Sequence, residues 1–441
     1  MEARTLLLKD SIWRLFFKLS IPSIITTVTV ALNLIIDSAF IGHMIGQAGV
    51  VALISVFTFN YLVFALEGLV AVATATFMSH AYGKGDKEGQ QQAYRMQNTA
   101  VIFLGGIALV LSLVFIETYL ELSITHLSSK PLALEYLSGY VFCIPFRIYA
   151  FSSSRIMQMK GLENAITKHY LVGMLLNLIG TPVLIILMGM KGGAIATVLA
   201  EGGVVLLNYW CLKQKDPLFS SRLGGWNTHP YGYFLKNGLA AIAMQLLFFV
   251  QFTLIFRAMR GVGSDVDMAV LGTSIRYLLF MVYVAVGFSR AMQPVVGVNF
   301  GGQQYHRVIK ALKIFTFGGS LFLLLLWSIG VLFSTPLLWL SLPELISYEV
   351  HEVYFLILWS IVLLSTFLMT GMSYLETIGK APLAALLALL RVFLFLVPFL
   401  WILPEKLGVS GVYWSVTLMD LCSVLVLMYL LRKPLFQRAF I

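Results

Sequence analysis

Asp37 lies inside a long apolar stretch, and Asn33 precedes it by four residues. On a helix the two share one face. An ionised carboxylate at mid-bilayer costs at least about 2.5–3.5 kcal/mol on insertion scales, so an acid in such a place needs a purpose. Farther along, Asn177 and Thr181 repeat the same four-residue spacing in another apolar stretch. Two polar faces of this kind are best accommodated around a wet pocket, where Asn33 and Asn177 can hydrogen-bond Asp37 in either charge state. The chemistry open to Asp37 is reversible capture of a cation, a proton or alternatively sodium. The competing reading is a structural acid paired to a buried donor.

Pro22 stands fifteen residues before Asp37, about 22 Å along an ideal helix. It removes one backbone hydrogen bond and kinks its helix. It is either a hinge that responds to the charge of Asp37 or a static kink. Glu67 and Glu201 also sit inside apolar stretches, and Glu201 follows Thr197 by four residues. Each either joins the Asp37 pocket or closes an internal salt bridge. In the second half the intramembrane candidates are Arg276, Glu376, Arg391 and Asp420, with Asp420 expected to pair an arginine; Gln245 and Gln251 are the polar residues of the seventh apolar run. Acids and arginines that neutralise each other would leave Asp37 conditionally unpaired.

The remaining inventory excludes more than it suggests. The seven histidines have no metal-like spacing, and Cys143, Cys211 and Cys422 all lie in apolar segments, so neither a metal site nor a disulfide framework is expected. Gly301-Gly302 lacks the Lys-Ser/Thr of a phosphate-binding loop and reads as a loop. With no nucleotide site in view, energy must come from an ion gradient. The membrane potential supplies about 2.3 kcal/mol per charge per 100 mV, enough for one proton to drive appreciable uphill export. No cofactor, nucleotide or nucleic-acid partner is expected. Residues such as Phe248, Phe249, Tyr277, Met281 and Tyr283 are packing residues or line a plastic apolar cavity.

These side chains have to be held by helices in a bilayer. Of 441 residues, 59% are hydrophobic and 11% charged, whereas an ordinary soluble domain is about a quarter charged. Apolar runs of roughly 20 residues or more recur along the chain, and strict two-residue alternation is absent, which argues against a barrel. Twelve spans are read: 12–42, 48–80, 92–117, 132–158, 168–189, 192–212, 234–258, 268–290, 307–333, 350–378, 382–403 and 409–431. The expectation is an all-α integral membrane fold of two pseudo-symmetric six-helix lobes, 1–212 and 234–441, around a central cavity, joined by a cytoplasmic linker at 213–233.

The charges orient the spans. The even-numbered connections carry Lys84, Lys87 and Arg95; Arg155, Lys160 and Lys168; Lys213, Lys215, Arg222 and Lys236; Arg290, Arg307, Lys310 and Lys313; and Lys380, with Lys191, Arg257 and Arg260 as exceptions on the other side. The odd-numbered ones are richer in acid, including Glu117, Glu121, Glu135, Asp265, Asp267, Glu349 and Glu352. The positive-inside rule then places both termini in the cytoplasm. The basic N-terminus resembles a signal peptide, but Pro22, Asn33 and Asp37 interrupt its apolar run, and without a small-x-small site it reads as a retained first span. The halves also repeat: Lys18, Gly42 and Gly83 recur as Lys236, Gly261 and Gly301 at an offset of 218–219 residues. An even number of spans per half makes this a parallel repeat, with substrate expected at the interface.

At this point the sequence resembles the MATE (multidrug and toxic compound extrusion) exporters, nearest their DinF-like bacterial branch. The resemblance is carried by Leu19-Ser20-Ile21-Pro22 and Asp37-Ser38-Ala39-Phe40-Ile41-Gly42, by the inner loop Gly83-Lys84-Gly85-Asp86, and by Gln293-Pro294-Val295-Val296-Gly297-Val298-Asn299-Phe300-Gly301. Gly193-Ala194-Ile195-Ala196-Thr197, Arg391 and Asp420 also fall where the branch tends to place such residues. It departs from the branch at Thr181, where members often carry an Asp, and in lacking an acid in the seventh helix.

The resemblance implies a cation-coupled antiporter in the bacterial inner membrane. It would export amphipathic or cationic small molecules by alternating access, as a monomer, with Asp37 as the cation switch. The alternative is a flippase for a lipid-linked precursor, which would need a strongly cationic cavity with more than Arg276 and Arg391 lining it. An intramembrane enzyme would need paired acids at metal spacing or a Ser/His pair, and a channel would need a filter-like repeat; the sequence offers neither.

Overall fold

Two residues separate the longest helix, which ends at Lys84, from the next, which begins at Lys87. Gly85 takes φ +80° and ends one helix, and Asp86 opens the next by accepting the Gly89 amide at 2.9 Å. That left-handed backbone is what glycine permits without strain, and the aspartate satisfies an otherwise orphan amide. The Gly-x-Gly-Asp loop is therefore a capped turn.

The computed structural model describes residues 2–123, 130–224, 230–341 and 348–432. The first half comprises α1 (Glu2–Lys9), α2 (Ile12–Met44), α3 (Gln47–Lys84), α4 (Lys87–Ala100), α5 (Gly106–Ser123), α6 (Lys130–Tyr140), α7 (Cys143–Met159), α8 (Glu163–Met188) and α9 (Met190–Lys215). A π-helical turn at Val101–Gly105 joins α4 to α5. The second half comprises α10 (Pro230–Val262), α11 (Asp265–Gly301), α12 (Tyr305–Leu332), α13 (Ser334–Ser341), α14 (Tyr348–Trp359), α15 (Val362–Thr377), α16 (Ala381–Leu389), α17 (Val397–Leu407) and α18 (Val409–Arg432), with a second π-helical stretch at Leu390–Leu396.

Eleven helical segments among the described residues are long and apolar enough to cross a membrane. The fourth span, expected at 132–158, is broken between Tyr140 and Cys143, so neither α6 nor α7 reaches that length alone. The predicted ends are too short in several places. Helix α3 continues to Lys84, α10 begins at Pro230 and α11 runs to Gly301. Polar flanks that leave the hydrocarbon remain helical until a glycine stops them, so Gly301 closes a helix and the expected loop there shrinks to a turn. Helix α1 lies ahead of the first predicted span.

Helix α2 belongs to two cores. Its first arm buries Ile12, Leu15, Phe16 and Leu19 together with second-half residues such as Phe288 and Phe315. Phe16 stacks on Phe288 at 5.6 Å and meets the edge of Phe315 at 5.2 Å. Its other arm buries Ile41 against Ala52, Tyr136, Ile185 and Ala194 of the first half. Pro22 lies between the two arms.

The halves are sealed together on the face that carries α1. A methyl group on Gly83 would sit 2.9 Å from the Gly301 Cα, so both positions must be bare. His80 Nε2 bonds to the Thr377 carbonyl at 2.9 Å, and its ring lies 4.8 Å from that of Phe300. Gln293, the first residue of the Gln-Pro motif, accepts from Arg155 of the opposite half and donates to Ser373 at 2.6 Å. Helix α1 bridges the seam. Arg4 donates to the Gly83 carbonyl at 2.9 Å, while the Leu7 carbonyl accepts from Asn299 at 2.9 Å and Arg307 at 3.2 Å.

Candidate functional site

Asp37 is positioned by α2 and faces α8 and α9. Thr181 donates to its Oδ1 at 3.3 Å, and Thr197 donates to its Oδ2 at 3.4 Å. Asn177 closes the group from the side, its Nδ2 reaching the Thr197 hydroxyl at 3.5 Å. Asn177 and Thr181 are 2% and 0% exposed, so this polar patch is shut off from lipid. The four-residue spacings seen in the sequence put these groups on facing helix sides.

Two features make the group reactive. Thr197 also donates to the Gly193 carbonyl at 3.2 Å, and a hydroxyl has one proton to share between that carbonyl and Asp37. The side-chain oxygens of Asn33 and Asn177 are buried without a hydrogen-bond partner. A carboxylate, two hydroxyls and the unsatisfied amide oxygen of Asn177, with Asn33 one helical turn before Asp37, offer oxygens suited to a hard monovalent cation or a proton. Among the described residues no group of His, Cys, Asp or Glu could hold a metal ion of the ligated kind.

The other candidate acids are distributed elsewhere. Glu67 pairs with Arg147 at 2.7 Å, which matches the salt-bridge alternative. Arg147 also donates to Asn60 at 3.0 Å and to Tyr140, and lies 4.8 Å over the ring of Phe64. Glu201 is not hydrogen-bonded to Asp37; it lies within electrostatic reach of Glu67 and Arg147. Glu201 shares the α9 face of Thr197 but sits one turn, about 6 Å, farther along the helix.

In the second half Arg391 and Asp420 pair at 2.7 Å. They line an enclosed cavity of about 50 Å³ with Gln251 and Phe248. Arg276 does not join them: its side chain is exposed and has no ion pair among the described residues. Gln245 is half-buried and faces Gly68 of α3 instead. Pro22 lies inside α2 as expected, and its carbonyl accepts from Thr26 and Thr167, each at 2.9 Å.

Several functional partners escaped the sequence. Arg155 and Arg290, from opposite halves, bracket the ring of Phe151 at 5.2 and 4.8 Å. Between the spans, Lys160 pairs with Asp216 at 2.9 Å, and Tyr94 donates to the same oxygen at 2.5 Å. Burial pushes the Lys160 ammonium below its ordinary value, with Asp216 opposing.

The MatE family matches residues 22–183 and 240–402, a match in each half. The multidrug export protein MepA of Staphylococcus aureus (strain NCTC 8325 / PS 47) is 22% identical over 449 residues, covering 97% of this chain and 96% of that protein. A MATE protein crystallised in the bent conformation superposes with a TM-score of 0.90 at 18% identity, over 100% of this chain and 99% of that one. A MOP superfamily transporter from Pyrococcus furiosus Vc1 (DSM3638) gives 0.90 at 18% identity over 99% of each. Their common architecture is the twelve-span, two-lobe fold described above. The chain belongs to the MATE family: it is a multi-pass protein of the bacterial inner membrane that moves small molecules by alternating access, and it is not an enzyme.

Proposed function

We propose that the protein is a cation-coupled antiporter that exports amphipathic or cationic small molecules, with Asp37 as the cation switch. Asn33, Asn177 and Thr181 belong to the same pocket, and Thr197 completes it. The observation that carries this reading is the Asp37 carboxylate held by two hydroxyls beside the buried, donorless amide oxygen of Asn177. Proton uptake gives Asp37 one O–H to donate to an amide oxygen, sodium would instead be ligated by the oxygens, and either leaves Thr197 to the Gly193 carbonyl. Glu67 is paired with Arg147 and Glu201 lies within electrostatic reach of the same guanidinium, so this neighbouring group holds one more carboxyl than it has cation to pair.

The multidrug export protein MepA supports a varied cargo by its similarity, and the sequence motifs favour the DinF-like branch. The basic connections support cytoplasmic termini, and the chain is proposed to work as a monomer. The flippase alternative would need a strongly cationic cavity: Arg391 is spent on Asp420, whereas Arg155 and Arg290 lie together beside Phe151 between the halves, so gradient-independent movement of a lipid headgroup is the result that would favour it. Proteoliposomes loaded with a cationic dye test the proposal. An imposed proton or sodium gradient should drive dye movement in the native protein and fail to do so in Asp37→Asn. Undiminished gradient-driven movement in that variant rejects the switch.

A further inference from the structure

Helices α2 and α8 run in the same direction and are joined by two polar rungs. The outer rung is Asp37 with Thr181. The inner rung is the Pro22 carbonyl with Thr167, at 2.9 Å. Pro22 and Asp37 are fifteen residues apart, and Thr167 and Thr181 fourteen, so both intervals span about 21–22 Å of helix. The rungs therefore fall in register without bending either helix.

The inner rung holds more acceptors than protons. The Thr26 and Thr167 hydroxyls lie 2.9 Å apart, and each also reaches the Pro22 carbonyl at 2.9 Å. Thr167 reaches its own Glu163 carbonyl at 3.1 Å as well. Two hydroxyls supply two protons. Either Thr167 donates to Pro22 and ties α2 to α8, or it turns back onto α8 and leaves Pro22 to Thr26 alone. Both threonines are buried, at 5% and 8% exposure, so water does not compete freely for these bonds.

Phe16 and Leu19 of α2 are buried in the second-half core, Ile24 and Val28 just past Pro22 still pack against that core, and Ile41 is buried in the first-half core. We propose that Thr167 is a positioning residue for transport: its hydroxyl pins the Pro22 carbonyl to α8 and makes that point the pivot between the two arms of α2. A change at Asp37 then bends the outer arm against a fixed point, and the inner arm carries the second half with it. This rests on the switch assigned to Asp37.

The test uses the full chain in proteoliposomes, with Cys143, Cys211 and Cys422 replaced by alanine for labelling. Thr167→Val removes the hydroxyl at nearly constant shape, and Thr167→Ser restores it. Valine should lower maximal turnover three- to tenfold with the half-saturating cation concentration unchanged, and serine should recover most of the loss. Spin labels at Phe17 and Leu206, on the inner arm and on α9, should give a distance distribution broader in Thr167→Val than in the parent. Native turnover with an unchanged distribution overturns the pivot, as does failure of serine to rescue. If valine does not assemble, Thr167→Ala makes the same deletion and is judged by the same two readouts. Should Asp37→Asn stay coupled while valine still broadens the distribution, the switch falls and the pivot stands.

Discussion

Arg391 grips a single oxygen of Asp420 with two nitrogens, Nε at 2.8 Å and Nη2 at 2.7 Å. Both residues are buried, at 7% and 4% exposure, and the pair joins the π-helical stretch to α18. A buried pair of this sort costs more to break than it contributes when whole. Arg391→Ala should therefore destabilise the protein by about 3–5 kcal/mol, whereas replacing both residues with apolar ones of similar volume should be close to neutral. Thermal unfolding in detergent measures both, and the double variant should retain transport, since the pair lies outside the Asp37 group.

Lys160 and Asp216 give a pH-dependent counterpart between the spans. The Lys160 ammonium is held below its ordinary value of 10.5 by burial, so the folded state binds that proton less tightly than the unfolded chain. Stability then rises with pH as the window below 10.5 is crossed. Asp216→Asn strips the charge that opposes burial. Its cost, about 3–5 kcal/mol at neutral pH, should shrink as the pH approaches 10 and the amine discharges. Comparing unfolding midpoints at neutral and alkaline pH checks the sign; an equal loss at both would contradict it.

The hydroxyls at Asp37 separate the two coupling ions. Sodium needs their oxygens as ligands, so Thr181→Val or Thr197→Val should raise its half-saturating concentration roughly tenfold, the effect of about 1.4 kcal/mol. A proton needs neither oxygen. Proton-driven transport should persist in both variants. Transport rates against sodium and against pH, measured on the same liposomes, distinguish the cases.

Much of this was legible in the residues themselves. Long apolar runs and the asymmetric lysines and arginines gave the spans, because a bilayer imposes length and charge rules on local sequence. Asp37, Asn177 and Thr181 were legible for the same reason: a polar residue in such a run is conspicuous. Thr197 was harder to assign, since a threonine is unremarkable in an apolar helix and its role depends on a partner 160 residues away. Glu201 misled through proximity in sequence, where one helical turn separated it from the group. Arg276 is exposed and does not join the Arg391–Asp420 pair, a placement that an apolar run alone does not fix. The break between α6 and α7 and the contacts of α1 leave no periodic trace, being set by tertiary packing.

Helix α1 holds Gly83 of one half through Arg4 and offers the Leu7 carbonyl to Asn299 and Arg307 of the other. A short amphipathic piece ahead of the first span thus acts as a buckle across the doorway on its face. The doorway cannot part while the buckle is fastened, so unfastening has to precede each opening there. Opening on that face therefore requires the amino end of the chain to let go along with the His80–Thr377 and Arg155–Gln293 bonds of the same seam.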